Sequence, residues 1–362
     1  MIMARKYNFN PGPAVLPLSV LETAQTALVD FEGTGLGILE TSHRAKEFTA
    51  VLEQAKTRMR SILGIPDSHE IAFFQGGANF QFTLIPMNIL PSGGRAEYVD
   101  TGTWSTRAID AARLVGEVAV IASTKEEKYS RVPRTDEMKW SHDAAFAHIT
   151  SNNTIYGTQF QAFPDTGTVP LVCDMSSDFF SRKVDVSRFG VIYAGAQKNL
   201  GPAGVTLVII RKDLLDRSPE NLPPMMSYKK FVAKNSVYNT PPVFSIYVVN
   251  LVLGWIEQQG GLEAIEKTND QKAAALYGLI DSDPDFFRGT VKPESRSKMN
   301  VTFRLPSEDL EKECIAKATE DGLVGIKGHR SVGGIRASIY NSMSLEGVEK
   351  LVEFLKNYRK AH

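Results

Sequence analysis

The chain has 362 residues, enough for about two domains, and its 43% hydrophobic and 23% charged residues are ordinary for a soluble globular protein. Its 41 Lys+Arg balance its 41 Asp+Glu, so no net field argues for nucleic acid or a membrane surface as partner. Two cysteines, Cys173 and Cys314, exclude a disulfide framework or a cysteine-rich zinc site, and the opening MIMARKYNFNPGPAVLPL lacks the apolar core of a secretion signal. No run approaches the roughly 20 apolar residues of a membrane span, and the expected location is the cytoplasm.

In chain order, residues 1–16 read as an extended, proline-rich segment, and ETSHRAKEF precedes a helical pattern. Short apolar runs then alternate with helical spacing. The strand candidates are IAFF (71–74), AEYVD (96–100), EVAVIA (117–122), AFAHITS (145–151), VPLVCDMS (169–176), VIYA (191–194) and VTLVII (205–210), with helices over 80–90 and 103–116. Several runs are apolar without alternation, the pattern of strands covered on both faces. The order predicts an α/β fold whose mostly parallel, seven-stranded sheet lies between helices. VIYA and VTLVII lie too close for a parallel crossover, so their connection is expected to be antiparallel.

Beyond Val243 the pattern changes. PPVFSIYVVNLVLGWIEQQGG predicts a long helix closed by a glycine pair. A helix (262–280), a strand (299–305), a helix (307–321), a strand (334–340) and a last helix from Ser344 follow. The expected division is a large domain over 17–255 and a smaller α+β C-terminal domain over 256–362, which residues 1–16 join.

One lysine stands out. Lys198 lies in AGAQKNLGPAG, a small-residue turn between two strands, while Asp174 ends the apolar run VPLVCD. Open α/β sheets bind ligands at the carboxyl ends of their strands, so an amine and a carboxylate placed there can converge on one ligand. A lysine of lowered pKa is a nucleophile toward carbonyls. Pyridoxal phosphate needs that pair: a lysine for its aldehyde and a carboxylate that keeps its ring nitrogen protonated. FFQGGANFQF supplies a strand, two glycines and a helix start for a phosphate. TGTWSTR supplies Trp104 as a flat lid, and SNNTIYGTQF offers Asn152, Asn153 and Thr154 to a ring hydroxyl. Each feature alone also fits an ordinary turn, cap or core role. Their joint occurrence at strand ends favours the cofactor. No GxxxxGK[ST], HExxH or paired Cys/His spacing occurs, so neither a nucleotide phosphate loop nor a metal is expected.

These residues resemble the phosphoserine aminotransferases, a family of class V aminotransferases among the fold-type I pyridoxal enzymes. The resemblance runs nearly end to end, through NFNPGPAVLP, GLGILETSHRAKEF, TGTWS, SNNTIYGTQF, VCDMSSDFFSRKVDV, YAGAQKNLGPAGV, YNTPPVFSIY and GGIRASIYN. It implies Lys198 as the Schiff-base lysine, Asp174 as the ring-nitrogen partner, Trp104 as the stacking ring and Thr154 as a contact of the phenolic oxygen. Gln197 and the backbone at Ala78 and Asn79 are then phosphate ligands. Asn239 and Thr240 are a pair reaching the neighbouring subunit's cofactor phosphate in a homodimer with shared active sites. The pattern departs at Asn79, where some members carry an arginine that also holds substrate.

The implied substrates are L-glutamate, O-phosphoserine and 3-phosphohydroxypyruvate, which place the protein in serine biosynthesis. Pyridoxine biosynthesis is implied as well, by way of 4-phosphohydroxythreonine. Anions of that shape call for arginine forks. Arg336 in GGIRASIYN matches the α-carboxylate ligand. The His-Arg pairs His43–Arg44 and His329–Arg330 fit a phosphate or side-chain carboxylate, and they stand out in a chain with six histidines. His148, inside AFAHITS, reads as a core residue. A cysteine desulfurase needs a nucleophilic cysteine on a mobile loop, whereas Cys173 falls in a strand and Cys314 in a helix. A non-catalytic binding protein on the same fold is the alternative from another class.

Overall fold

Seven strands form one sheet, and six of them are apolar runs that only a doubly covered position can hide. They are β1 (His69–Phe74), β2 (Arg95–Asp100), β3 (Glu117–Ser123), β4 (Phe146–Thr150), β5 (Leu171–Asp174), β6 (Val191–Gly195) and β7 (Thr206–Arg211). Their order is β1-β7-β6-β5-β4-β2-β3. Only β7 runs antiparallel to its neighbours, β1 and β6, and every other pair is parallel. The expected α/β fold and the antiparallel turn at Lys198 are both present. β3 differs from its core-like sequence: it is the edge strand, and none of its residues is fully buried. The structure is a computed structural model that describes residues 5–362. The first four residues of the expected N-terminal segment lie outside the described residues.

Eight longer helices flank the strands: α1 (Leu18–Ala27), α2 (Lys46–Leu63), α3 (Gly77–Ile89), α4 (Thr103–Arg113), α5 (Val243–Gln258), α6 (Gly261–Ser282), α7 (Glu308–Glu320) and α8 (Leu345–Lys360). The two-residue period of β1 divides the core. Ile71 and Phe73 face a cluster with Met59 of α2 and Val249 of α5, while Ala72 and Phe74 face Leu84 of α3 and Ile109 of α4. None of these helices is long and apolar enough to cross a membrane.

The C-terminal part packs around its own cluster. Strands β8 (Asn300–Arg304) and β9 (Ile335–Ser338) pair antiparallel, and Val301 and Ile335 lie against Leu276 of α6 and Leu351 of α8. α6 joins the halves: Leu262 and Ile265 belong to the sheet's core, Leu276 and Ile280 to the C-terminal one. The N-terminal segment also touches both. Tyr7–Asn8 pairs with Leu323–Val324, Phe9 enters the C-terminal core, and the Ala14 N–H then donates to the Gln197 carbonyl at 2.9 Å.

One buried cation fixes the chain just beyond β9. Lys272 of α6 has no exposed surface, and its Nζ donates to the carbonyls of Ile339 (2.9 Å), Tyr340 (2.8 Å) and Met343 (3.0 Å). The same turn presents the Asn341 N–H to Asn199 Oδ1 at 3.0 Å, one residue from Lys198. A buried acceptor left bare costs about 1–3 kcal/mol. Lys272→Met, which keeps the volume and removes all three donors, is therefore expected to destabilise the protein by about 3 kcal/mol or more, read as a lowered urea-unfolding midpoint.

Candidate active site

β1, β2, β4, β5 and β6 run in the same direction, so the loops that follow them emerge at one edge of the sheet. After β6 comes the turn with Gln197 and Lys198. After β5 come Asp174 and then Ser176 and Ser177, and after β4 the stretch from Thr150 to Thr154. β2 leads to Trp104 at the start of α4, and β1 to Gly76 and Gly77 at the start of α3. These loops enclose a pocket of about 210 Å³, which also receives Pro11 and Gly12 from the N-terminal segment and His329 and Arg336 from the C-terminal part. A larger cleft of about 690 Å³, between α1, α2 and α5, holds no lysine.

Inside the pocket the carboxylate is buried and the amine half-buried. Burial pushes Asp174 up and pulls Lys198 down to about 8, and each charge partly offsets the other's shift. The Arg336 guanidinium lowers Lys198 further. Lys198 Nζ donates to Thr154 Oγ1 at 2.7 Å, and Asp174 Oδ1 accepts from the Ser176 N–H at 2.9 Å. At neutral pH a useful fraction of Lys198 is thus unprotonated and able to attack a carbonyl.

Several features mark the pocket as built around a polar guest. Thr150 Oγ1, Trp104 Nε1 and Arg336 Nε are buried without hydrogen-bond partners, an arrangement that costs free energy unless something else satisfies them. Gly76 and Gly77 hold φ of 85° and 68°, and a Cβ on Gly76 would lie 2.8 Å from that of Phe80. This backbone, open only to glycine, starts α3 with its free N–H groups at Ala78 and Asn79. Trp104 lies close to the amine, with Lys198 Nζ 5.6 Å from its ring centre. An anion cradle, a flat ring, a buried carboxylate and an amine together fit pyridoxal phosphate.

Ala78, Asn79, Trp104, Thr154, Asp174, Gln197, Lys198, His329 and Arg336 all line the pocket. His43, Arg44, Asn239, Thr240 and Arg330 do not. Arg44, Thr240 and Arg330 are exposed, and the Thr240 carbonyl accepts from Gln75 Nε2 at 3.1 Å. Sequence reasoning missed Ser176 and Ser177, although VCDMSS shows both directly after Asp174. It also missed Gly12 of NPGPA, and Arg107, whose guanidinium lies 5.1 Å from the Trp104 ring centre. Arg107 in TRAID has the spacing of an ordinary helix-surface arginine, so nothing in the sequence set it apart. His329 is held low by burial and then by the cations Arg336, Arg330 and Arg107. His148 is buried and stacks on Tyr98 at 4.6 Å, with Nε2 bonded to the Tyr193 hydroxyl. Cys173 and Cys314 are both buried and unpaired.

The class-V aminotransferase family model matches residues 6–351, and the chain belongs to that family. It is 54% identical over 360 residues to the phosphoserine aminotransferase of Desulfosudis oleivorans, with 99% of each chain covered. It is 55% identical over 358 residues to that of Desulfatibacillum aliphaticivorans, with 98% of each covered. The fold superposes on the phosphoserine aminotransferase from Bacillus circulans subsp. alkalophilus with a TM-score of 0.97, at 52% identity over 99% of both chains. On the PLP-bound phosphoserine aminotransferase from Trichomonas vaginalis the TM-score is 0.92, at 40% identity over 97% of this chain and 100% of that one.

The lowered amine has a direct readout. The rate at which an amine-specific aldehyde labels Lys198 in the cofactor-free protein should rise with pH to a midpoint near 8 and then level off. Because the Asp174 charge raises this pKa, Asp174→Asn should move the midpoint to lower pH. Labelling at a series of pH values, followed by peptide mass spectrometry, checks both. An upward move in the variant would contradict the assigned pairing.

Proposed function

We propose that the protein uses pyridoxal 5′-phosphate to exchange an amino group between L-glutamate and 3-phosphohydroxypyruvate. The products are 2-oxoglutarate and O-phospho-L-serine, and the activity is the one its relatives are named for, in serine biosynthesis. The single observation that carries the reading is Lys198, Asp174 and Arg336 lining one pocket. When bound, the cofactor supplies the electron sink that makes the Cα–H bond of an amino acid acidic. Asp174 would pair with its ring nitrogen, Trp104 would cover the ring, and Thr154 would take the phenolic oxygen. Gln197 and the N–H groups at Ala78 and Asn79 hold the phosphate. Lys198 Nζ, unprotonated, would take the Cα proton as general base and, once protonated, act as the general acid. Arg336 binds the α-carboxylate and so fixes which bond at Cα faces that amine.

The distal phosphate or carboxylate falls to His43, Arg44, His329 and Arg330. A charge-assisted hydrogen bond contributes roughly 1.5–3 kcal/mol, so two of them separate phosphoserine from serine by about a hundredfold or more. The same recognition extends to 4-phosphohydroxythreonine, which carries the same phosphate and amino-acid head, and so to pyridoxine biosynthesis. The reading also places the protein in the cytoplasm, in keeping with two unpaired, buried cysteines.

The proposal includes a homodimer whose two sites share residues, and a division into a large domain over 17–255 and a small one over 256–362 with the N-terminal segment. Asn239, Thr240, His43 and Arg44 lie outside their own chain's pocket, and Leu18, Leu21, Leu28, Leu36 and Leu39, in the stretch of chain before His43, are all more than one-third exposed. An apolar stretch of that kind calls for a covering surface.

Two experiments test this. The visible band of the cofactor-loaded protein should bleach with glutamate and with phosphoserine, but not with serine. Lys198→Ala should abolish the exchange, and appreciable turnover by that variant would sink the assignment. For the shared site, neither Lys198→Ala nor the double variant Asn239→Ala/Thr240→Ala should be active alone. Unfolded together and refolded as a mixture, they should regain about a quarter of wild-type activity, since half the dimers are hybrids with one intact site. No recovery in mixtures shown to contain hybrids would mean that each chain builds its site alone.

A further inference from the structure

A second cavity, of about 640 Å³, shares Ile155, His329 and Arg336 with the pocket that holds Lys198. It opens between the C-terminal part and the loop after β3, and its cationic groups are Lys125, Lys128, Arg304 and Arg336, with the His329 ring beside them, against Glu127 as its one acid. Two of these charges are already spent. Glu127 is bonded by Arg131 and by Lys292 at 2.7 Å, which hold its carboxyl down at about 2, and Arg304 Nε donates to Glu311 at 2.5 Å. Lys125 and Lys128 have no salt-bridge partner among the described residues.

The loop that carries them is held in place rather than left loose. Lys128 and Tyr129 have consecutive positive φ angles, 54° and 56°, a costly conformation for residues with a Cβ. The Tyr129 hydroxyl donates to Asp100 Oδ2 at 2.9 Å, and the Ser130 carbonyl accepts from the Lys292 N–H at 2.8 Å. The strained turn is therefore anchored at Tyr129 to the sheet and at Ser130 to the C-terminal part.

We infer that this cavity is an anion-collecting vestibule for the inner pocket, in which Lys125 and Lys128 attract multiply negative phosphorylated amino and oxo acids and pass them to His329 and Arg336. The inference rests on the proposed reading of the inner pocket. Unpaired cations around a concave, low-dielectric wall raise the local concentration of an anion, and salt screens the effect.

The test uses the cofactor-loaded enzyme and the double variant Lys125→Glu/Lys128→Glu. The control is Lys356→Glu/Lys360→Glu, which makes the same change in net charge on α8, away from both cavities. For O-phosphoserine, kcat/KM of the vestibule variant should fall about tenfold at low ionic strength and come within about twofold of wild type at 0.5 M KCl. The loss should appear in KM rather than kcat, and it should be smaller for L-glutamate, which carries less net negative charge. Equal kcat/KM in variant and wild type at both salt concentrations, or an equal loss in the control, would overturn the vestibule. Titration of inorganic phosphate into both proteins, followed calorimetrically, reads the same attraction without turnover. Weaker binding by the vestibule variant supports it, and equal affinity overturns it. Wild-type enzyme that exchanges no amino groups at all would instead refute the reading of the inner pocket, and the phosphate titration would still decide the vestibule.

Discussion

The whole site depends on burying an amine beside a carboxylate at the edge of a sheet. Alone, either charge would be expelled or neutralised by the cost of leaving water. Together they lower each other's cost, and burial still leaves Lys198 only weakly basic, near 8. The pair also dictates topology. Asp174 ends β5 and Lys198 follows β6, which is its parallel neighbour, so the two residues reach the same edge one strand apart. The chain then returns through β7, antiparallel to β6, which makes a short turn possible where a parallel crossover would need a helix.

Around that pair the charges are unbalanced. Lys198, His329 and Arg336 line the pocket, and the carboxylate of Asp174 is the one acid among its lining residues. Asp178, buried behind it, pairs with Arg182 at 3.7 Å and accepts from Gln159 Nε2 at 3.0 Å. With His329 held low and Lys198 pulled down to about 8, the Arg336 guanidinium is the group that draws anions into this half-enclosed space. The orphaned donors on Trp104 and Arg336 add to this: the pocket holds hydrogen-bonding capacity that its own side chains leave unused.

Most of the strands were legible in the sequence because a sheet covered on both faces favours apolar runs, and such runs are visible locally. The pocket's chemistry was legible for a related reason: Lys198, Asp174 and the glycines before α3 sit at element ends, where periodicity stops. What escaped notice depends on contacts distant in sequence. Lys272 reads as a helix-surface lysine in NDQKAAAL, yet its partners lie 67 to 71 residues away. Asp100 reads as the end of a strand, but it accepts from Ser105, Thr106, Ser123 and Tyr129 and so ties the Trp104 turn to the vestibule wall. β3 escaped in the opposite sense: EVAVIA is as apolar as its neighbours, and only its place at the sheet's edge leaves it uncovered.

Thr154 connects the two halves of the site. Its hydroxyl accepts from Lys198 Nζ, and its carbonyl accepts from Arg336 Nη1 at 3.1 Å. That second bond engages one corner of the guanidinium and leaves Nε, buried and without a partner, on the opposite edge beside Nη2. A carboxylate reaching this edge makes two parallel hydrogen bonds and breaks none. Arg336 is therefore oriented by the same residue that touches the amine. The turn held by Lys272 follows directly after β9 and bonds Asn199 through Asn341, which supports the arrangement from the other side. Arg336 of the C-terminal part and Lys198 of the sheet's edge thus meet on one residue, Thr154, which bonds both.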